Sequence, residues 1–379
     1  MSTCVLHIGQ HKTGTTSIQS TLFWGLRDRR FRLLSLDSFF GNRLLLTAFL
    51  DRPLGRRGVF LRGITPGQFP RWAHRSRAYL DRTLAASRRD GVTPIISAEC
   101  VWGFQESELM ALRRFILDRG FEPRVVAYLR PPFDRVESEM QQVARLGIAD
   151  LWPRCVLRPP QSLLSDVQRI DAVFGRRQVT VFPFDQRGFP DRCVVRHFCD
   201  FVGIDLDRVP ILRENESLSL DAFRFLHAFN GAHPARANRT SVFVRRAILE
   251  RTLRDLPGRV LRLHESLQAP LLDRLTPELS ALTDRLGGAL PLTTVHRSPD
   301  AGLRDEAELF SYSPEALDWL ARRCGQSAVD SAAGPETARQ VARQLNRLAY
   351  RSPQAVVALA RERAAIHCQR LRLKARMRI

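Results

Sequence analysis

The chain has 379 residues, 44% of them hydrophobic and 26% charged, which fits a soluble globular protein of one large or two modest domains. It contains no run of 18 apolar residues, so the sequence predicts no transmembrane helix. The formal net charge is +20, but 57 of the 59 basic residues are arginine, so we interpret the charge as a compositional preference and expect no specific nucleic-acid binding.

Strand-like runs alternate with helical patterns over the first 200 residues. Apolar, β-branched runs predict strands at 3–8, 31–36, 93–99, 123–130 and 178–184. Apolar residues at helical spacing predict a helix after the first strand and further helices at 72–88, 106–119, 131–145, 161–174 and 191–202. Such alternation predicts an α/β fold with a parallel sheet covered by helices on both faces.

The strand signals stop near residue 215, and the rest of the chain has the pattern of helix and loop. We predict one domain over residues 1–325, with a core to about 230 and a helical part over about 231–325. The small, polar, Gly/Pro-containing residues 326–335 predict a linker. Residues 336–379 predict a basic helical tail, either a solvated helix or a contact with anionic lipid or glycan.

Nothing in the sequence predicts export. The N-terminal residues lack the basic, apolar and small-residue pattern of a secretion signal. The seven cysteines are scattered without a Cys-x-x-Cys pair, which predicts reduced thiols and no structural zinc. We therefore expect a cytoplasmic protein, associated with a membrane only if the tail binds lipid.

A glycine-rich loop follows the first predicted strand, in the stretch HIGQHKTGTTS at residues 7–17. A loop between a strand and a helix directs backbone N–H groups and the helix N-terminus at an anion. Nucleotide triphosphatases place a lysine after the second glycine of such a loop and use the next hydroxyl for magnesium. Here Lys12 precedes Gly14 by two positions, which predicts an anion with less charge than a β,γ-diphosphate and no metal.

Two stretches resemble a known family. IGQHKTGTTSIQ resembles the 5′-phosphosulfate loop of sulfotransferases that use 3′-phosphoadenosine 5′-phosphosulfate (PAPS), in the form common among bacterial members. VVAYLRPPFDRVESEMQQ is similar to the 3′-phosphate motif of that family, with Arg130 at a strand end and Ser138 eight residues later. PIISAEC and LRENESLSLDAF fit more loosely, and the resemblance covers roughly residues 3–230.

The resemblance implies a P-loop-type three-layer fold and PAPS as the co-substrate, without a metal. It implies that Arg130 and Ser138 bind the 3′-phosphate and that the loop binds the 5′ end. The loop residues concerned are Lys12, Thr13, Gly14, Thr15, Thr16 and Ser17. The acceptor would be a hydroxyl or amine of a glycan, a glycolipid or a small hydroxylated molecule.

A catalytic base must take the proton that the acceptor loses. Members of the family use histidine or glutamate, and Glu99 is our candidate because it ends a predicted strand, where parallel sheets place their ligand crevice. Alternatively, Glu99 only orients Lys12 or caps the following loop. The stretch GNRLLLTAFL has Arg43 where the family often has histidine, which argues against a histidine base there.

Two other functions stay open at this point. One is a small-molecule kinase that uses ATP and magnesium, against which the position of Lys12 and the missing magnesium aspartate argue. The other is a non-enzymatic, arginine-rich module that binds nucleic acid or membrane. The arginines are spread along the whole chain and aromatic residues do not alternate with them, which argues against this module.

Overall fold

The computed structural model describes most of the chain. The described residues are 2–10, 12–35, 40–51, 64–157, 162–206, 211–212, 217–233, 240–288, 290, 302–327, 329 and 333–351. Among them no helix is both long and apolar enough to cross a membrane. Residues 352–379 of the predicted tail, part of the predicted linker and Asn215 of the looser motif lie outside this part of the chain.

The centre of the fold is a parallel sheet with strand order β2-β3-β1-β4-β5. Its strands are β1 (Ser2–His7), β2 (Phe31–Leu33), β3 (Thr93–Ser97), β4 (Phe121–Leu129) and β5 (Val179–Pro183). Val5 of β1 lies opposite Ile95 of β3 on one side and Arg124 of β4 on the other. These five strands match the five runs predicted from the sequence, and the parallel α/β fold is confirmed.

Helices follow the strands and then continue alone. They are α1 (Thr15–Gly25), α2 (Phe40–Phe49), α3 (Phe69–Arg89), α4 (Glu106–Leu117), α5 (Pro132–Arg145), α6 (Leu163–Phe174), α7 (Val194–Val202), α8 (Leu220–Ala232), α9 (Thr240–Leu253), α10 (Gln268–Leu286), α11 (Pro314–Cys324) and α12 (Pro335–Arg351). Helix α2 was not among the sequence predictions. A short 3₁₀ helix, Glu99–Gly103, follows β3 directly.

The sheet has a hydrophobic core on each face, because successive side chains of a strand point in opposite directions. Cys4 and Leu6 of β1 belong to the core shared with α3, α4 and α6. Val5, between them, belongs to the core shared with α1 and α7. The fold is therefore three-layered, helix on sheet on helix, as predicted.

A third core lies among α5, α8, α9, α11 and α12, in the helical part of the chain. Phe223 and Phe229 of α8 are fully buried there. Helix α5 belongs to this core, and the carboxylate of Glu137 fixes it to a neighbouring segment by accepting from the Leu263 backbone N at 2.8 Å and Arg262 Nη1 at 3.1 Å.

Helix α12 lies where the sequence predicted a separate tail. Its Val341 and Leu345 are fully buried in the third core, so residues 335–351 pack as part of the fold. The remainder of the predicted tail, residues 352–379, lies outside the described residues. The division of the chain into domains stays a prediction.

The order of the strands determines where a ligand would bind. From β1 the chain adds β2 and β3 on one side of the sheet and then β4 and β5 on the other. The order reverses between β1 and β4, and ligands of open α/β sheets bind outside the carboxyl ends of the strands at such a reversal. The residues that follow β1, β3 and β4 therefore meet in one crevice.

Candidate active site

The loop between β1 and α1 continues the sheet before it turns. The Ile8 backbone N donates to the Val126 carbonyl oxygen of β4 at 2.9 Å. Within the loop, Thr13 Oγ1 donates to the Gln10 carbonyl oxygen at 2.6 Å. Gln10 Oε1 in turn accepts from the Arg130 backbone N at 3.0 Å. The loop is thus tied to the ends of two strands, and Gln10, which the sequence analysis did not single out, is the link.

Glycines are required at two positions of the loop. Gly14 has a φ of 74°, and a Cβ on it would lie 2.6 Å from Val194 Cγ1. A Cβ on Gly9 would lie 2.5 Å from Thr15 Oγ1 and 2.8 Å from Thr13 Oγ1. The backbone therefore passes where no side chain fits, which keeps it close to whatever the loop binds.

Helix α1 begins at Thr15 with Gly14 as its N-cap. Glycine carries no side chain that could cap the first N–H groups. The first N–H groups of a helix have no partner within the helix, and they make its N-terminus an anion site. Thr13, Thr15 and Ser17 are buried around it, and Thr16 is half-buried.

Lys12 is held in a left-handed backbone conformation with a φ of 69°, which residues with a side chain seldom adopt. Its carbonyl oxygen accepts from Arg130 Nη1 at 2.5 Å. The pKa of the Lys12 ammonium is lowered to about 8, first by burial and then by the charge of Arg145, with Glu99 acting in the opposite direction. A strained, desolvated lysine of this kind is typical of a functional site.

Arg130 follows β4 and lies beside the loop. Its guanidinium carbon lies 5.5 Å from the ring centre of Phe184, and burial is the main cause that lowers its pKa. Arg130 Nε is buried and has no hydrogen-bond partner among the described residues. A buried arginine with an N–H group that lacks a hydrogen-bond partner among the described residues is suited to bind an anion.

Ser138 lies on α5, the helix that begins at Pro132 immediately after Arg130. It is half-buried. The two residues predicted for the 3′-phosphate thus lie on consecutive elements, Arg130 just after β4 and Ser138 within α5.

Glu99 lies just beyond the carboxyl end of β3, on the other side of β1 from Arg130. It is half-buried, and its negative charge opposes the lowering of the Lys12 pKa. The end of β3 is fixed by α1 and α2: Gln19 Nε2 donates to the Ser97 carbonyl oxygen at 2.9 Å, and the Cys100 backbone N donates to Asn42 Oδ1 at 3.0 Å. The end of the strand that leads to Glu99 is thus held by two helices.

His7 and Ser97 join the ends of the two strands that lead to Lys12 and Glu99. His7 Nδ1 and Ser97 Oγ are 2.8 Å apart, and both side chains are fully buried. Burial lowers the pKa of the His7 imidazole to about 3.

Arg145 and Glu250 are two further charged residues near Lys12 that the sequence analysis did not find. Both affect the pKa of Lys12, Arg145 lowering it and Glu250 raising it. Arg145 follows Ser138 by seven residues, so the two lie two turns apart on the same face of α5. This spacing could have indicated Arg145 from the sequence. Glu250 comes from α9, and no sequence pattern connects it to the loop.

The chemistry of these groups fits an organic polyanion. Thr15 Oγ1, Gln10 Nε2 and Arg130 Nε are buried polar atoms without a hydrogen-bond partner among the described residues. Buried polar groups without partners are costly, so atoms of this kind mark places where a ligand supplies the missing bonds. Groups of three or more His, Cys, Asp or Glu side chains that could hold a metal ion do not occur among the described residues.

Comparisons with known proteins match the chain to a solved structure. No family model matches the chain, and no curated protein matches it either. A crystal structure of a sulfotransferase from Alicyclobacillus acidocaldarius is similar at 17% identity and a TM-score of 0.37, over 71% of this chain and 99% of that one. At this TM-score the likeness carries no argument about function, which depends on the residues of the site.

Proposed function

We propose that the protein transfers a sulfuryl group from PAPS to a hydroxyl or amine of an acceptor. The observation that carries this proposal is the direct contact of Lys12 with Arg130 at the reversal point of the sheet. PAPS has anionic groups at both ends of its ribose, and the two cations lie on the loop after β1 and at the end of β4. Glu99, beyond the neighbouring strand β3, adds a base.

In this proposal the loop binds the 5′ end of the donor. The N–H groups from Thr13 to Ser17 and the ammonium of Lys12 surround the phosphosulfate, and Lys12 donates to the oxygen that bridges phosphorus and sulfur. PAPS supplies a sulfuryl group whose S–O bond to the 5′-phosphate breaks as the acceptor oxygen or nitrogen bonds to sulfur. Lys12 and the helix N-terminus stabilise the negative charge that develops on the leaving phosphate.

Arg130 and Ser138 bind the 3′-phosphate in this proposal. A guanidinium N–H and a hydroxyl provide one charge-assisted and one ordinary hydrogen bond. Arg130 Nε, which has no partner among the described residues, is the N–H that such a phosphate would engage.

Glu99 takes the proton of the acceptor. The charge of its carboxylate opposes the lowering of the Lys12 pKa, which supports a place for the base close to the leaving-group lysine. The products are the sulfated acceptor, with its proton on Glu99, and adenosine 3′,5′-bisphosphate. For the acceptor we keep a glycan, a glycolipid or a small hydroxylated molecule, and we place the reaction in the cytoplasm.

The test uses the melting temperature of the protein and needs no acceptor. Adenosine 3′,5′-bisphosphate keeps both phosphates of the donor, and at a hundredfold excess over Kd a ligand stabilises the folded state by about 2.7 kcal/mol. We expect a rise of a few degrees that persists in EDTA. ATP lacks the 3′-phosphate and should have a clearly smaller effect.

Two variants and two contrary outcomes complete the test. Lys12→Ala should abolish most of the shift, whereas Arg154→Gln, which removes an exposed arginine paired with Asp150 on the protein surface, should leave it intact. A larger shift with ATP and magnesium than with the bisphosphate would show a kinase and refute the proposal. A shift with any polyanion that disappears in added salt would show a merely basic surface.

A further inference from the structure

An arginine of α2 and a tryptophan of α3 form a cation–π pair. The guanidinium carbon of Arg43 lies 5.9 Å from the ring centre of Trp72, and both side chains are half-buried. A guanidinium within about 6 Å of an aromatic ring is attracted by the negative face of that ring. We refer to these two residues as the Arg–Trp pair.

The amino end of α2 lies against the carboxyl end of β3. A Cβ on Gly41 would lie 2.5 Å from the carbonyl oxygen of the last residue of β3. The backbone N of Cys100, in the 3₁₀ helix directly after β3, donates to Asn42 Oδ1 at 3.0 Å. Arg43 and Glu99 are the chain neighbours of this bonded pair of residues. Arg43 therefore belongs to the same end of the sheet as the proposed base.

Helices α2 and α3 run in the same direction, which brings Trp72 to this end of the sheet as well. Thr47 Oγ1 of α2 and Ser76 Oγ of α3 are 2.7 Å apart. The Arg–Trp pair lies one turn before this contact in both helices, so it is nearer to both amino ends. The arginine and the tryptophan thus flank the crevice on the side of β3.

This part of the two helices is basic. Besides the arginine of the pair, the first two turns of α3 carry Arg71 and Arg75. Helix α2 contains no acidic residue, and α3 contains none before Asp81. The carboxylate of Glu108 lies at the other end of α2, where it accepts from the Asp51 backbone N at 3.2 Å. A surface of this charge attracts an anionic molecule to the side of the crevice that adjoins the proposed base.

We propose that the Arg–Trp pair is an acceptor subsite for a glycan that carries carboxylate groups on its sugar rings. The inference rests on the proposed function, since the acceptor meets the sulfuryl donor in the same crevice. The apolar C–H face of a sugar ring packs on Trp72, and the planar fork of Arg43 donates to the two oxygens of the carboxylate.

The charges of the other reactants explain why such an acceptor needs an arginine. Glu99 and the bound donor are both negative, so a carboxylate beside them is repelled unless a cation of its own lies next to it. Arg71 and Arg75 continue the basic surface along α3. Several separate cations match a chain of repeated anionic sugars better than a single small acid.

The test compares acceptors that differ only in their carboxylates. Hexasaccharides of hyaluronan and of heparosan, in which glucuronic acid alternates with N-acetylglucosamine, are offered with labelled PAPS in native and in carboxyl-reduced form. We expect the wild type to sulfate at least one native hexasaccharide with a kcat/KM about tenfold or more above that of its reduced form, the usual effect of a charge-assisted hydrogen bond. This ratio is the charge preference.

Two variants separate the two members of the pair. Arg43→Gln should lower the charge preference to about twofold or less by raising KM for the native form, because the charge-assisted bond is lost. Its kcat and its affinity for adenosine 3′,5′-bisphosphate should stay near the wild-type values, which a merely structural role would not predict. Trp72→Ala should raise KM for both forms by a similar factor, because the ring contacts the sugar and not its charge.

Arg89→Gln is the matched control. It removes an exposed arginine from the carboxyl end of the same helix α3, where Arg89 Nε lies 3.3 Å from Asp90 Oδ1. The charge preference should stay at the wild-type value. Should Arg43→Gln not fold, Arg43→Lys takes its place and should lower the preference at least about threefold, because the planar fork is lost.

The outcomes distinguish this inference from the proposed function. A folded Arg43 variant with the wild-type charge preference would overturn the inference. So would a wild type that binds the bisphosphate but sulfates neither native hexasaccharide, or one that sulfates only a small aromatic acid such as 4-hydroxybenzoate. A wild type that does not bind the bisphosphate would instead overturn the proposed function itself.

Discussion

Arg130 Nη1 donates to the carbonyl oxygen of Lys12 at 2.5 Å, so the residue proposed for the 3′-phosphate also holds the loop proposed for the 5′ end. The hydrogen bond fixes the lysine in its left-handed conformation, at a φ of 69°. Substitutions of Arg130 therefore have two effects, one on the ligand and one on the loop, and Ser138 offers a way to separate them.

Arg130→Ala should weaken binding of adenosine 3′,5′-bisphosphate by about 1.5–3 kcal/mol, and Ser138→Ala by about 0.5–1.5 kcal/mol, because the arginine makes a charge-assisted bond. Only Arg130→Ala should also lower the melting temperature of the ligand-free protein, since it removes the contact with the Lys12 carbonyl. Calorimetry and thermal melts measure the two effects. If neither variant changes the affinity, the 3′-phosphate lies elsewhere.

Glu99→Gln should lower kcat by about 10²–10⁴-fold, the range usual for the loss of a general base. Donor affinity should stay nearly constant, because in the proposal the carboxylate acts on the acceptor. The measurement pairs single-turnover kinetics with donor titration, once a screen with labelled PAPS has found an acceptor. A variant with weak donor binding and normal chemistry would show instead that Glu99 orients the loop.

Donor affinity should fall as the pH rises above about 8, the pKa of Lys12 in the ligand-free protein. The lowered pKa means that the folded protein releases this proton before the unfolded chain, whose lysine titrates near 10.5. From this group alone, the free energy of unfolding should therefore rise with pH between these two values, while donor affinity falls.

Titrations of the bisphosphate from pH 7 to 9.5 test this, with proton uptake on binding at the upper end. Lys12→Arg should bind with little dependence on pH in this range, because its guanidinium stays charged, and should retain little transfer activity. A wild-type affinity that is constant to pH 9.5 would remove the charge of Lys12 from donor binding.

Truncations distinguish α12 from the residues beyond it. A chain that ends at residue 334 loses Val341 and Leu345 from the third core, each worth about 1.5–3 kcal/mol when fully buried, and should unfold or melt far lower. A chain that ends at residue 351 should keep the wild-type melting temperature and the shift with the bisphosphate. Melting temperatures measured by circular dichroism distinguish the two truncated chains. A folded chain ending at residue 334 would show that α12 is dispensable.

The five strands and their parallel arrangement could be predicted because strands of a parallel sheet are apolar on both faces. In β4 the apolar run from Val125 to Leu129 is buried throughout, and in β1 the last four residues are buried. Ser219 is the N-cap of α8, and its Oγ accepts from the Ala222 backbone N at 3.2 Å, as a serine before an amphipathic helix commonly does. Local signals of this kind depend on neighbouring residues, so one sequence suffices to find them.

Other features depend on residues that are distant in the chain. The pairing of Arg145 with Glu250 joins α5 to α9, and the conformation of Lys12 is held by Arg130. Helix α2 is short and apolar over most of its surface because it packs against the end of β3, so it lacks a clear polar face. Lys12 and Arg130 are in contact, and the charge of Glu99 acts on the pKa of Lys12, while the roles of all three residues stay predictions.

The neutral imidazole of His7 has a consequence for how the crevice behaves in acid. With a pKa of about 3, the imidazole stays uncharged at every pH at which the protein is expected to work. Its hydrogen bond to Ser97 is therefore kept over the same range. The hydrogen bond of His7 to Ser97 joins the two strands that lead to Lys12 and Glu99, so we expect the distance between these strands to be independent of pH. Proton-dependent changes in turnover would then report on the side chains facing the crevice, with the scaffold beneath them constant.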